Sequence, residues 1–172
     1  MKLHTIRCNT DFTLQRKQFD GRPHLVVPVV LMVEGVHHAM QSEPLFYSAE
    51  VLSDIPDKWN DTASLVFHPL DENGNPISAN SVVIHENKVI GRLFNTTYDH
   101  PSLKSEAWID EEKAREHNPE FIEALERGDR IEVSTGVFVE SDNKKGSWNG
   151  EDYDGEVLRH IKTIGFSQLL YY

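Results

Sequence analysis

The sequence is short of cysteine, of basic residues and of long apolar runs. Among its 172 residues there is one cysteine, Cys8, so the chain can form no internal disulfide and no zinc site from paired cysteines. Its longest apolar run, 25–33, is interrupted by Pro28 and has about half the length of a membrane-spanning helix. The N-terminus carries several charges and no uninterrupted apolar core, unlike a signal peptide. We therefore expect an intracellular protein that is not bound to a membrane.

The charge balance is acidic. The chain has 28 aspartates and glutamates against 17 lysines and arginines, which gives a net charge of −11. A general nucleic-acid binder needs a basic face for the phosphates, so that class is disfavoured. The acidic charge fits simple solubility or a basic partner. A hydrophobic fraction of 38% in a chain of this length predicts one globular domain with its own core.

Hydrophobic patterning predicts a β-rich α+β fold. Residues 1–24 form an N-terminal arm or an edge hairpin with a turn at 20–23, and 25–172 form the domain. Helices are predicted at 48–55 and in two pieces within 110–127, and 141–150 is predicted as a polar loop. Strands are predicted at 25–33, 63–67, 88–95, 103–109, 131–140 and 157–170, the last as one or two strands.

Local signals fix several element ends. Asp110 and Asn118 are placed to cap two consecutive helices, and Gly128 is placed to end the second. Pro28 lacks a backbone N–H, which predicts a sheet edge or a bulge within the first long strand. On the strand 103–109, alternate residues should share one buried face.

Two short segments carry residues that could perform catalysis. His68 follows the apolar residues 65–67, and Ser134 lies within the strand-like segment 131–138. A serine hydroxyl is a weak nucleophile that needs a neighbouring base to accept its proton. Imidazole suits that role because its pKa lies near neutral pH.

Several short phrases follow one another over roughly 25–170. They are Val26-Val27-Pro28-Val29-Val30 with Gly35-Val36, Pro44-Leu-Phe-Tyr-Ser-Ala-Glu-Val51, Trp59-Asn60, Phe67-His68-Pro69, Val89-Ile-Gly-Arg-Leu-Phe-Asn95, Leu103-Lys-Ser-Glu-Ala-Trp-Ile-Asp-Glu-Glu-Lys-Ala114 and Glu132-Val-Ser-Thr-Gly-Val-Phe138. No single phrase is specific, whereas the ordered set is. Taken in order, the phrases resemble the phage prohead (head maturation) protease family.

This resemblance implies a fold and an activity. The family is similar to herpesvirus assemblin-type serine proteases, which have a mostly antiparallel β-barrel flanked by helices. Its members are serine endopeptidases that cut scaffold and capsid proteins, and often themselves, inside the prohead in the host cytoplasm before DNA is packaged. The expected partners are the major capsid protein, the scaffold protein and further copies of the chain, with no nucleic acid, membrane or cofactor. The resemblance makes Ser134 the nucleophile and His68 the base.

The third member of the catalytic group is left open by the sequence. Assemblin-like enzymes use a second histidine after the serine, and His160 lies in that position on a predicted strand. Glu106, on the strand between His68 and Ser134, is a rival. The family often has a histidine a few residues after position 160, where this chain has Phe166.

Backbone N–H groups near Ser134, at Thr135 and Gly136, are expected to meet the oxyanion of the reaction. The pair His37-His38 has no cysteine or carboxylate at ligand spacing, so a polar loop is favoured over a metal site. The alternative function is a catalytically inactive structural or scaffolding head protein with the same fold, which the departure at Phe166 favours.

Overall fold

The computed structural model describes residues 2–7, 14–38, 43–66, 73, 89–129 and 131–169, with the backbone alone described at 2–7, 132–134, 138 and 160–169. The strands in this part of the chain are β1 (Lys2–Arg7), β2 (Gln15–Phe19), β3 (Arg22–Val33), β4 (Gly35–His37), β5 (Leu45–Tyr47), β6 (Ala63–Leu65), β7 (Val89–Asp99), β8 (Ser102–Asp110), β9 (Glu132–Ser141), β10 (Gly146–Trp148), β11 (Glu151–Tyr153) and β12 (Gly155–Leu169). The helices are α1 (Ala49–Ser53), α2 (Glu111–His117) and α3 (Pro119–Arg127), with a 3-10 turn at Pro56–Lys58.

A ten-stranded sheet contains all of these strands except the hairpin of β10 and β11. Its main path runs β1-β9-β12-β6-β7-β8-β3-β2, and β4 joins it through β5, which pairs with β12. Neighbours are antiparallel except for β12 with β6 and β12 with β5. The predicted β-rich, mostly antiparallel α+β class is therefore confirmed.

The predicted closure into a barrel is wrong for the part of the chain that the structure describes. Among the described strands, β1 pairs only with β9 and β2 only with β3, so the two ends of the path do not meet in a ladder. The sheet curls, since β1 and β9 both approach β3. A barrel needs ladder hydrogen bonds around its whole circumference, and residue alternation along single strands does not specify them.

The main core lies on one face of this curled sheet. The predicted inward face of β8 is confirmed, because Leu103, Ser105, Ala107 and Ile109 are all buried. Helix α3 covers the core with the buried side chains of Phe121, Ile122, Ala124 and Leu125. Pro28 is exposed and lies beyond the last β2–β3 pair, Gln15 with Val26, so its predicted place at an edge is also confirmed.

The helix ends follow the predicted capping chemistry. Asp110 Oδ1 accepts a hydrogen bond from the Lys113 N–H at 3.1 Å, and Asn118 Oδ1 accepts one from the Phe121 N–H at 3.1 Å. Gly128 ends α3 with a φ of 75°, a left-handed conformation that glycine adopts without steric cost. These short-range signals survive because each depends on residues within one turn of the cap.

Residues 1–24, predicted as an arm or hairpin, contribute two strands to the sheet. β1 pairs antiparallel with β9, and β2 forms a hairpin with β3. Asp20 and Gly21 connect that hairpin with φ values of 52° and 73°, the sign that a two-residue hairpin turn requires. The division of the chain at residue 25 concerns independent folding and stays a prediction.

The region predicted as a polar loop, 141–150, contains β10. Packing across the hairpin explains the difference, because Phe46 stacks on Tyr153 and also contacts Trp148, with ring centroids 5.3 and 5.7 Å apart. Gly146 allows this arrangement, since a Cβ there would lie 2.4 Å from the Tyr153 hydroxyl oxygen. These contacts join distant segments and leave no short-range pattern in the sequence.

Four charged side chains tie the edge strand β2 to α2 and α3. Arg16 contacts Glu111 at 3.2 Å and Glu126 at 2.5 Å, and Arg115 contacts the same two carboxylates at 3.1 and 2.9 Å. The hydrogen bond from Arg16, with further help from Arg115, lowers the pKa of the Glu111 carboxyl, although partial burial acts in the opposite direction. Ionised Glu111 therefore stabilises the fold.

We predict that Glu111→Gln lowers the urea midpoint at pH 7 and narrows the difference between midpoints at pH 7 and pH 3. The folded pKa lies below the unfolded one, so the stabilisation is full above the unfolded value of about 4.3 and is lost as pH falls through the folded pKa. Glu112→Gln is the matched control, because Glu112 makes no ion pair with the described residues. Equal pH dependence in both variants would contradict the assignment.

Candidate active site

Ser134 is the third residue of β9, a strand that has neighbours on both sides. Its backbone is paired with Thr5 of β1 on one side and with Ser167 of β12 on the other. Ser167 is in turn paired with Leu65 of β6. Ser134, Ser167 and Leu65 thus form one row across three adjacent strands.

This row brings the chain just before His68 towards Ser134. Leu65 lies two strand spacings from Ser134, which is about 10 Å. His68 itself is outside the described residues, three positions after Leu65. The two segments that the sequence singled out, 66 residues apart in the chain, therefore lie in the same sheet with only β12 between them, up to Val66, the last described residue before His68.

His160 is not in this row. Its partner on β9 is Val139, five residues along the strand from Ser134, or about 17 Å. The residue of β12 that pairs with Thr135 is Phe166. Phe166, near which the resemblance predicts a histidine, is therefore one residue from the β12 partner of Ser134.

Glu106 has a different environment from a catalytic carboxylate beside Ser134. Its Oε2 accepts hydrogen bonds from Asn95 Nδ2 at 2.8 Å and from Trp108 Nε1 at 2.9 Å. β8, which carries Glu106, is four strand positions from β9 along the sheet path. The two bonds orient side chains of β7 and β8 on the face opposite the core.

The predicted oxyanion donors, Thr135 and Gly136, lie where β9 is paired on both sides. Thr135 is opposite His4 and Phe166, and Gly136 is opposite Leu3 and Gly165. Along a strand, successive N–H groups point to alternate neighbours. One of these two N–H groups therefore points to β12 and the other to β1.

The side chain of Thr135 was not singled out by the sequence. It is fully buried, and its hydroxyl oxygen has no hydrogen-bond partner among the described residues. Leaving a buried hydroxyl unpaired costs about 1–3 kcal/mol. Such unsatisfied groups are rare in folded proteins, and this one is next to the candidate nucleophile.

A cleft of about 200 Å³ lies on the other face of the sheet from the core. It starts near Val89, which pairs with Leu65 and packs with Leu65 and Ala63 in a small apolar cluster. The cleft therefore begins three strand positions from Ser134. Its lining includes the aromatic and basic side chains of Phe19, Arg22, His24, Arg92, Trp108 and Lys113.

The geometry of the cleft is held by polar contacts and by a glycine. Arg22 pairs with the buried Asp110 at 3.1 Å, and Arg92 binds Asp61 at 3.1 Å. Gly91 is required on the floor, because a Cβ there would lie 2.1 Å from the Trp108 carbonyl oxygen. The lining comes from three separate segments, 19–24, 89–94 and 108–113, with no motif spacing, which explains why sequence reasoning missed it.

The histidine pair His37-His38 does not form a shared ligand set. His37 Nε2 donates to the Val33 carbonyl at 2.6 Å, and His38 Nε2 lies 2.9 Å from a Glu151 carboxylate oxygen. Burial lowers the pKa of His37. In the described part of the chain, no three histidine, cysteine, aspartate or glutamate side chains cluster in a way that could hold a metal.

No helix of the described residues has the length and apolar character needed to cross a bilayer.

Comparison with solved structures supports the expected fold. The chain is similar to the capsid assembly protease gp21 of bacteriophage T4, with a TM-score of 0.61 over 99% of this chain and 98% of that chain. The two sequences are 10% identical, so the similarity establishes a shared fold and transfers no residue roles. No protein-family model and no curated protein matches the sequence. The prohead-protease-like fold is confirmed, whereas the likeness to assemblin stays a prediction.

We predict that Thr135→Val stabilises the chain by about 1 kcal/mol, because valine keeps the shape of threonine and removes the unpaired hydroxyl. The measurement is urea unfolding at pH 7. Thr96→Val is the matched control, since the buried Thr96 hydroxyl is bonded to Ser105 at 2.9 Å and its loss should destabilise. A destabilised Thr135→Val chain would mean that this hydroxyl has a partner.

Proposed function

We propose that this chain is a serine endopeptidase of phage head maturation, with Ser134 as nucleophile and His68 as general base. The observation that supports the proposal is the row from Ser134 through Ser167 to Leu65, in which Leu65, three residues before His68 in the chain, lies two strands from Ser134. The fold shared with the T4 capsid assembly protease gives the role its context.

The proposed reaction proceeds through an acyl-enzyme. His68 accepts the hydroxyl proton while the Ser134 oxygen attacks the scissile carbonyl, and it returns that proton to the leaving amine. Water, deprotonated by the same imidazole, then attacks the ester, and the imidazolium returns that proton to the Ser134 oxygen as the second product is released. No cofactor takes part, since each proton lost by one group is taken up by another.

The bulge on β7 beside this row fits a functional position. Ser64 pairs with Gly91 and Leu65 pairs with Val89, so Ile90 is an extra residue on β7. Bulges concentrate next to active sites, where they change the direction of the backbone and its side chains. Here the bulge lies on β7, opposite Ser64 and Leu65 of β6. Leu65 is three residues before His68 in the chain.

The third group of the site is left to the backbone or to a residue other than His160. The backbone of His160 is about 17 Å along the strand from the row of Ser134, which argues against a hydrogen bond from its side chain to an imidazole that contacts Ser134. Without a charged partner, His68 would be oriented less firmly and catalysis would be slower.

The proposed substrates are the scaffold and major capsid proteins, and further copies of the chain, within the prohead in the host cytoplasm. Enclosure in a shell raises the effective concentration of enzyme and substrate, so that modest catalysis is sufficient. Assembly into a homodimer or a larger complex is part of the proposal.

A second candidate is an inactive structural head protein with the same fold. Phe166 favours it, because the resemblance predicts a histidine near this residue, which is one residue from the β12 partner of Ser134. Both candidates place the chain in the assembling head, and they differ in whether Ser134 reacts.

We predict that co-expression with the capsid and scaffold proteins yields shortened bands that disappear with Ser134→Ala and with His68→Ala. Loss of either member of such a pair lowers the rate by about 10³-fold or more. His160→Ala is the control on the neighbouring strand, and its rate should stay within about fivefold because the change removes no contact in the reaction. The readout is the rate of band conversion on gels.

Two results would contradict parts of this assignment. Unprocessed bands with the wild-type chain, together with normal heads, would leave the structural protein as the function. A His160→Ala chain as inactive as Ser134→Ala, while still folded, would show that β12 does not have the described register in the active assembly.

A further inference from the structure

We propose that the edge of β9 beside Ser134 is the binding site for an extended peptide, and that β1 occupies it as a cis-acting plug. β1 pairs with β9 from Lys2 opposite Val137 to Arg7 opposite Glu132, which centres it close to Ser134. The proposal rests on the proposed role of Ser134 and adds how substrate is bound and how access to the site is controlled.

β9 has just one edge available to a substrate strand. Its other edge is occupied by β12, which pairs on its far side with β6 and so cannot leave without splitting the sheet. An extended peptide that adds to a sheet needs a free row of N–H and C=O groups. On β9 that row is the one now paired with β1.

β1 can leave at little structural cost. Among the described strands it pairs with β9 alone and is the last strand on its side of the path. The next strand in the chain, β2, lies at the opposite end of the path, so departure of β1 breaks one ladder and leaves every other pairing intact. Strands held along one side open most easily.

β1 also occupies one of the two N–H groups proposed as oxyanion donors. Of the Thr135 and Gly136 N–H groups, one points to β12 and the other to β1. While β1 is in place, both groups are directed into ladders. Release of β1 frees one N–H next to Ser134, where the developing oxyanion needs a donor.

The register supplies a reversible lock for the test. Arg7 and Glu132 are directly opposite each other, and opposed residues of antiparallel strands have Cα separations of about 4.5–5.5 Å, within the range that a disulfide spans. Arg7→Cys with Glu132→Cys, in a Cys8→Ser chain, should fix β1 when oxidised and release it when reduced. The two single-cysteine chains are controls for each substitution.

The binding test uses a folded chain that is cut between residues 8 and 13 at an introduced protease site. A labelled peptide with the sequence of Lys2–Arg7 should exchange with the cut strand. Fluorescence anisotropy of the label measures this exchange. The oxidised lock should abolish the exchange. N-methylation of the peptide at Thr5 or at Ile6 should weaken binding about tenfold for one of the two and leave the other unchanged, because only alternate N–H groups face β9.

The reactivity test follows the labelling of Ser134 by a fluorophosphonate. Labelling should be about tenfold faster or more with β1 released than with β1 locked, since one oxyanion donor is freed. Absence of peptide exchange, or equal labelling in both states, would overturn the proposal and leave β1 as a permanent strand. Peptide exchange with no labelling in either state would support the edge site while rejecting the serine-peptidase function.

Discussion

The pairing of β12 with both β9 and β6 is the constraint on which the rest of the sheet depends. Among the described strands, β12 alone joins β1 and β9 to β6 and the strands that follow it along the main path. Its contact with β6 consists of two residue pairs, Phe166 with Ser64 and Ser167 with Leu65. The second of those pairs belongs to the row that joins Ser134, Ser167 and Leu65. The ladder that holds the sheet together therefore also sets the distance across the candidate site.

This short contact is fixed by packing on both faces of the sheet. Ser64 is fully buried, and Leu65 packs with Ala63 and Val89 in a cluster apart from the main core. Since successive residues of a strand face opposite sides, both faces of β6 are covered and the strand cannot slip by one residue without exposing apolar surface. A short strand is thus given a single register. The position of the segment approaching His68 follows from that register.

How much the sequence could predict depends on the range of each interaction. The caps at Asp110 and Asn118, the left-handed Gly128 and the buried face of β8 all depend on residues a few positions apart, and all were predicted correctly. The open edge of the sheet and the hairpin of β10 and β11 depend on contacts between distant segments, and both were missed. The ordered phrases predicted the fold through their resemblance to a family. Such a resemblance carries information on contacts between distant segments, which local patterns do not.

The candidate site divides in the same way. The strand around Ser134 could be predicted from its apolar residues, and β9 lies there. The role of Ser134 rests on the resemblance and stays a prediction. The position of His160 relative to Ser134 depends on the register of β12 against β9. Three register shifts occur there between Val157 and Gly165. Each shift changes which residues are opposite each other downstream, so a count of 26 residues along the chain cannot give the partner of Ser134. His160 has the sequence spacing expected of the third catalytic residue, whereas Phe166 lies closer to Ser134 across the β9–β12 ladder. Sequence spacing cannot reveal this difference, and the register of the ladder does.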